Sequence, residues 1–395
     1  MRILDNRTTK SEKVRWFIGG AAVAILAAAL LYFAYMLIPD WSGPSKPDSI
    51  RAFKKTKQIE RVIDRYYLGE NDDRTQTDMM YTGLIAGLGD PYSRYYTEEQ
   101  YRELKNQRAG EYTGIGITIA QQASDGSIVI MEVQADSPAD QAGLKAEDVL
   151  INLADRDVEG MTASQVVDLI RENEGKEIQV TIARKGEKDP VTVNVTPGKV
   201  ESVTVTGEMP DDGIGMIHIS RFAGVTKEQY SQVFQELKKQ GMKKMILDLR
   251  GNGGGLVESS CSIAETILPE GVIVYEEDRG GNRRDHNGKG AEDFDLPLVV
   301  LVDGNTASAA EILTGAIQDY GIGTVIGTKT FGKGIVQNVF HLGDGSVIQL
   351  TVTHYYTPKG NDIHEKGITP DVIVEAAAEG ETGDPQLEAA LKALQ

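Results

Sequence analysis

The pattern of apolar and polar positions changes period several times along the chain, and each change marks an element. Residues 296–302, LPLVVLV, are an unbroken apolar run that predicts a strand buried on both faces. From 307 to 320, small and apolar residues recur at helical spacing and Gly321 closes the segment, so a helix is predicted with Ser308 at the strand-to-helix turn. A short strand at 324–326 and a glycine-punctuated loop bearing Lys333 come next. The extended segment beyond it carries Gln337 on the same face as the lysine, so serine, lysine and glutamine can converge. Upstream, GIGMIHISRF reads as a strand, 227–240 as a helix, and KKMILDLR as a buried strand running into GNGGGLV and a helix over 258–268. A strand at 271–275 precedes DRGGNRRDHNGKGAEDF, expected to be an exposed loop. Residues 347–356 form a closing strand and DPQLEAALKAL an amphipathic terminal helix. Alternation at this spacing predicts a layered α/β core.

Ahead of this core the pattern differs. Residues 16–38 are uncharged and largely Ala, Leu, Ile, Val and aromatic, and about 23 residues at roughly 1.5 Å each match a bilayer core of about 30 Å. Arg2, Arg7, Lys10, Lys13 and Arg15 precede them. The positive-inside rule then expects a cytoplasmic N-terminus and a single-pass anchor in the cell membrane, with everything after Pro39 extracytoplasmic. A cleaved signal peptide is the rival, although the apolar run is longer than a usual signal h-region. WSGPSKPDSI is a linker into a helical pattern that continues to about Leu104, with Ile59, Val62, Ile63 and Tyr66, then Met79, Met80, Leu84 and Ile85 on apolar faces. So small a unit cannot bury those faces alone; packing on the body or on a second copy, hence a homodimer, is expected.

The stretch between these helices and the core alternates as strands do. YTGIGITIA is a glycine loop leading into a strand, SIVIMEV is a second strand, and SPADQAGLKAEDVLINL gives a capped short helix stopped by Gly143 and another strand. A helix at 162–171 and strands at 178–184 and 191–195 complete it. On these residues the region 109–198 resembles a PDZ domain. That resemblance implies capture of a peptide C-terminus on the loop Tyr112, Thr113, Gly114, Ile115, Gly116 and Ile117, with the peptide added as a strand at the sheet edge.

Charge and composition narrow the function classes. Lys and Arg number 41 against 59 Asp and Glu, a net charge of −18 that would repel a phosphate backbone and argues against a nucleic-acid partner. At 395 residues the chain holds two or three compact units. Cys261 stands alone, so neither an intramolecular disulfide nor a thiolate metal cluster is available. His218, His286, His341, His354 and His364 form no H-E-x-x-H spacing, and no metal is expected. The glycines at 251–255 fail the G-x-G-x-x-G dinucleotide pattern at Leu256. The G-x-x-x-x-G-K of 327–333 continues with Gly334 and a strand-like IVQNVF, where a P-loop needs Ser or Thr and a helix. No cofactor is expected.

The chemistry that remains is nucleophilic. Ser308 to Glu311 also matches the S-x-x-E capping box, in which the hydroxyl only satisfies a helix N–H, and a lone Lys333 would ordinarily be a solvated surface side chain. Their combination points elsewhere. A serine at a helix start can attack a carbonyl, and a lysine can accept its proton if burial lowers its pKa toward roughly 7–8. Gln337, being neutral, can orient that amine without favouring its protonated form. Backbone N–H groups of Ala309 and of the Gly253-Gly254 turn can donate to the developing oxyanion.

The order DPYSRYY, PDZ module, DLRGNGGG, GNTASAAEI, GTKTFGKGIVQ and GITPDV closely resembles the C-terminal processing peptidases, or tail-specific serine proteases. The resemblance implies Ser308 as nucleophile, Lys333 as base, Gln337 in support, a core related to the crotonase and ClpP folds, and substrates that are proteins or peptides with exposed C-termini. It also implies a PDZ module able to gate the catalytic site, with Arg171 a candidate relay and any regulatory protein partner unidentified. The expected organisation is α+β and multidomain: a cytoplasmic N-terminus (1–15), a transmembrane helix (16–38), a linker and helical segment (39–108), the PDZ domain (109–198), a crotonase/ClpP-like α/β protease core (199–375) and a helical tail (376–395). A catalytically inactive membrane PDZ scaffold is the alternative from another class. Acyl-thioester chemistry on a crotonase-like core is a third; it would require an acyl-carrier site, and the expected membrane topology makes cytoplasmic cofactors inaccessible.

Overall fold

The computed structural model describes residues 49–291, 294–378 and 382–395. The chain divides into two units, one ending at Gln76 and one running from Thr77 to Gln395. Within the described part of the first, the helix Ser49–Tyr66 leaves Val62 and Tyr66 exposed.

The second unit contains the core foreseen from the alternation of strands and helices. Its main sheet has the strand order Val205–Asp211, Ile214–Ile219, Lys244–Asp248, Leu298–Val302, Gly323–Gly327, Val372–Ile373, antiparallel at the first pair and parallel thereafter. Both faces are covered, which is why Leu298–Val302 is apolar at every position. Leu298, Val300 and Val302 face the helices Thr226–Lys239, Val257–Ala264 and Ala309–Tyr320, while Val299 and Leu301 face the terminal helix Pro385–Ala393 through Ala390 and Leu394. A second, antiparallel sheet is built on the strand Val347–Tyr356. It pairs with Arg94–Tyr96 and Gly271–Asp278 along one edge and with Ile335–His341 along the other.

The PDZ region forms a sheet in the order Ile117–Gln121, Ile128–Val133, Val149–Leu153, Ile178–Ala183, Val191–Val195, with the helix Ala163–Glu172 packed on it. Ile117–Gln121 is an edge strand, so one row of its backbone groups is open to an added strand. A two-stranded ribbon, Glu111–Gly114 with Gly198–Glu201, joins this module to the core.

Three expectations change. The transmembrane helix over 16–38 lies outside the described residues, and among the described residues no helix is long and apolar enough to cross a membrane. The fold class is corrected accordingly to a helical N-terminal segment, a PDZ domain and an α/β core, with no membrane span among the described residues. The stretch expected as an exposed loop after residue 277 instead turns at Asp278–Asn282 and returns as the strand Arg283–Gly288. Its polarity concealed it: the register sets charged residues opposite one another, Glu276 opposite Arg284 and Glu277 opposite Arg283, and His286 bonds Glu276 at 2.7 Å. Finally, the helical pattern read up to Leu104 is broken by the strand Arg94–Tyr96, with Thr97 then capping a new helix, Glu98–Ala109.

The end of strand Lys244–Asp248 is clasped to the terminal helix by charge. The Arg250 guanidinium donates to both Asp248 carboxylate oxygens at 2.9 and 2.8 Å, and through Nη1 to both Asp384 oxygens at 2.9 and 2.8 Å. Asp384 in turn caps Pro385–Ala393. Burial alone would raise the Asp248 pKa; His218, 3.8 Å away, and Arg250 more than reverse that and hold it at about 2. A depressed carboxylate contributes stability above its ordinary value of 3.8, and that contribution disappears as pH falls through the folded value. Urea unfolding between pH 2 and 5 is expected to show wild-type stability falling by roughly 2 kcal/mol from this group. Asp248→Asn should be less stable at neutral pH and lose that part of the dependence.

Candidate active site

Ser308 stands at the N-terminus of the helix Ala309–Tyr320 with φ +57° and ψ −119°, a conformation that L-residues seldom adopt. The strain is held by packing from below. A Cβ on Gly254 would lie 2.7 Å from Ser308 Cβ and 2.7 Å from the Ala307 carbonyl, and one on Gly255 would lie 1.9 Å from the Phe222 carbonyl. The glycines of DLRGNGGG are therefore required by close approach of the turn to the serine elbow.

A single carboxylate ties this elbow to the lysine loop. Glu311 is fully buried and accepts four hydrogen bonds: from the Ser308 N–H at 2.9 Å, the Lys333 N–H at 2.8 Å, the Gly332 N–H at 2.8 Å and the Thr330 hydroxyl at 2.6 Å. Sequence reading had found only its capping-box relation to Ser308. Its grip on residues 19 to 22 positions further on is tertiary. The Lys333 carbonyl also accepts a hydrogen bond from the buried Tyr355 hydroxyl.

Ser308, Lys333, Gln337 and Gly253 line one cavity of about 500 Å³, together with Arg108, Glu276, Arg284 and His286. Lys333 Nζ makes no hydrogen bond to Ser308; it lies over the Tyr92 ring, 4.3 Å from the centroid. Burial pulls the lysine pKa below its ordinary value, Asp90 pushes it back up, and Arg94 and Arg108 add to the lowering. Gln337 Nε2 reaches the Ile335 carbonyl at 3.5 Å and Thr351 Oγ1 at 3.4 Å, both long contacts. The Gly254 N–H donates to Asn252 Oδ1 at 2.8 Å. The N–H groups of Gly253 and Ala309 have no partner among the described residues, and Ala309 is fully buried behind the serine. Burial pushes the Cys261 thiol up to about 12, so it is no competing nucleophile.

The remaining sequence-derived positions fall elsewhere. Tyr112 and Thr113 belong to the ribbon strand, opposite Val200 and Lys199. Gly114 ends that strand and Ile117 begins the edge strand; in the loop between them Ile115 points into the PDZ core and Gly116, at φ +84°, abuts Ser137. Arg171 is exposed at the end of the PDZ helix, 3.9 Å from Asp168, and is not among the residues lining the cavity.

A family model for peptidase family S41 matches residues 213–374, and one for the PDZ domain matches 103–183. The carboxyl-terminal-processing protease of Synechocystis sp. is 34% identical over 307 residues, which covers 77% of this chain and 72% of that protein. The chain belongs to peptidase family S41. Another S41 relative, the carboxy-terminal processing protease CtpA of Bacillus subtilis, is 34% identical over 335 residues, covering 85% of this chain and 70% of its own. The solved photosystem II D1 C-terminal processing protease shares 31% identity over 87% of this chain and 90% of that one, with a TM-score of 0.49. As an S41 member with a PDZ domain the protein is a serine-type peptidase, and the inactive-scaffold alternative falls away.

Glu311→Gln places an amide where four donors converge, so at least one of them is left without an acceptor inside the protein. Thermal unfolding should show a loss of about 2–3 kcal/mol, and peptidase activity should fall at least tenfold because serine and lysine loop are no longer fixed to one another. A variant with wild-type Tm and activity would refute the coupling.

Proposed function

We propose that the protein is a Ser–Lys endopeptidase that cleaves proteins near their C-termini. What supports this reading above all is that Ser308, Lys333 and Gln337, from two separate segments, line one cavity with Gly253, whose N–H has no partner among the described residues, beside the strained serine. Ser308 Oγ attacks the scissile carbonyl carbon while Lys333 Nζ takes its proton. The oxyanion is received by the N–H groups of Ala309 and Gly253. Collapse breaks the C–N bond, the lysine returns the proton to the leaving amine, and water hydrolyses the acyl-enzyme by the reverse sequence. Gln337 orients the amine. Since Nζ rests on Tyr92, the lysine must swing toward Ser308 before the first step.

In this reading the PDZ edge strand and the loop from Tyr112 to Ile117 take the substrate C-terminus, and Arg171, in the last turn of the helix beside that groove, relays its occupancy. The exposed apolar positions Val62, Tyr66 and Leu84 support a homodimer formed through the N-terminal helices.

Ser308→Ala and Lys333→Ala should each lower turnover of a tail-exposed substrate by at least a thousandfold with unchanged circular dichroism. The neutral amine is the active form, so kcat/KM should rise with pH, with its limb below the ordinary lysine value because burial favours deprotonation. Retained activity in the serine variant rejects the mechanism. Amidating the substrate C-terminus should raise KM severalfold, since the loop would lose its carboxylate; an unchanged KM rejects the PDZ role.

A further inference from the structure

The segment from Asp90 to Tyr96 was notable in the sequence only as a motif, and the reaction above does not use it. In the structure it is bolted to the second sheet at several points. The Tyr92 N–H donates to Asp90 Oδ1 at 2.9 Å, and the Tyr92 carbonyl accepts from Gln349 Nε2 at 3.2 Å. Ser93 Oγ donates to Asp90 Oδ2 at 2.6 Å and accepts from the Thr351 N–H at 3.1 Å, and Arg94 to Tyr96 pair with Val347 to Gln349. The Tyr92 backbone is thus fixed on the strand next to the one that follows the lysine loop. Lys333 Nζ lies over its ring, 4.3 Å from the centroid, and has no hydrogen bond among the described residues.

An aromatic face attracts an ammonium and not a neutral amine. We propose that Tyr92 is a positioning residue for Lys333: its ring docks the charged amine away from Ser308 and releases it when the proton leaves. This rests on the Ser–Lys reading and adds to it an order of events, in which deprotonation frees the base to reach the serine. The other charged groups facing the amine are Asp90 and Arg94 on the same segment and Arg108 on the helix Glu98–Ala109. Across the cavity stand Arg284 and the His286–Glu276 pair, bonded at 2.7 Å. Glu311 and Tyr355 hold the lysine backbone and leave the side chain free to move.

The test uses the full chain carrying Ser308→Ala, in which no turnover occurs, with 13C-labelled lysine and Lys333→Arg as the assignment control. Lys333 Cε is followed by NMR through a pH titration. Tyr92→Leu should lower its midpoint by about half a unit or more, the shift that loss of a cation–π contact of roughly 1 kcal/mol produces, while Tyr92→Phe leaves it unchanged. In the active protein the acid limb of kcat/KM should move down by the same amount for Tyr92→Leu alone. If Tyr92→Leu does not fold, a trifluorinated phenylalanine at position 92 weakens the ring face at nearly constant shape and should give the same shift. An unmoved midpoint in the leucine or fluorinated protein overturns the proposal, as does an equal shift in Tyr92→Phe. The NMR arm does not depend on catalysis, so activity surviving Lys333→Ala would defeat the Ser–Lys reading and leave the docking result standing on its own.

Discussion

The buried carboxylate of Glu311 is the constraint on which the rest of the site depends. Four donors from three places in the chain point at two oxygens: the serine elbow, the lysine loop and the threonine that opens that loop. A buried charge is tolerated only when its lone pairs are filled, so the serine elbow and the lysine loop cannot separate without exposing it. The helix position that looks like a simple cap thus joins two strand connections into one rigid frame.

The same economy appears on the other side of the serine. The strained backbone of Ser308 persists because Gly254 and Gly255 pack against it and against Phe222 where any side chain would collide. That turn leaves the strand Lys244–Asp248 through Arg250, whose two carboxylate partners bind the terminal helix to the strand end. Backbone strain at the nucleophile is therefore balanced by contacts reaching across the whole layered core. The lysine side chain, by contrast, is held by a weak aromatic contact, so the frame is rigid while the amine is movable.

The sequence determined much of this protein, for identifiable reasons. Doubly buried strands such as Leu298–Val302 are apolar throughout, the PDZ edge strand and its glycine loop keep their pattern locally, and the near-miss P-loop could be rejected on one residue, Gly334. Ser308, Lys333 and Gln337 were legible because unusual residue types sit at element boundaries in an order that resembles one family. What remained hidden was encoded by distance. The polar strand Arg283–Gly288 is held by pairing with Gly271–Asp278, where His286 bonds Glu276 and Arg283 lies over the Tyr275 ring, and no periodicity within the segment announces a partner.

Tertiary structure alone decided how the parts act together. Glu311 is one residue of a local motif in the sequence, and only folding brings the lysine loop onto both its oxygens. Tyr92 lies 241 positions before Lys333 in the chain, yet pairing of its segment with Val347–Tyr356 sets its ring under the amine. The sequence marks Ser308 and Lys333 through their local surroundings; whether they touch is fixed by long-range pairing, which is why the absence of a hydrogen bond between them could be learned only from the structure.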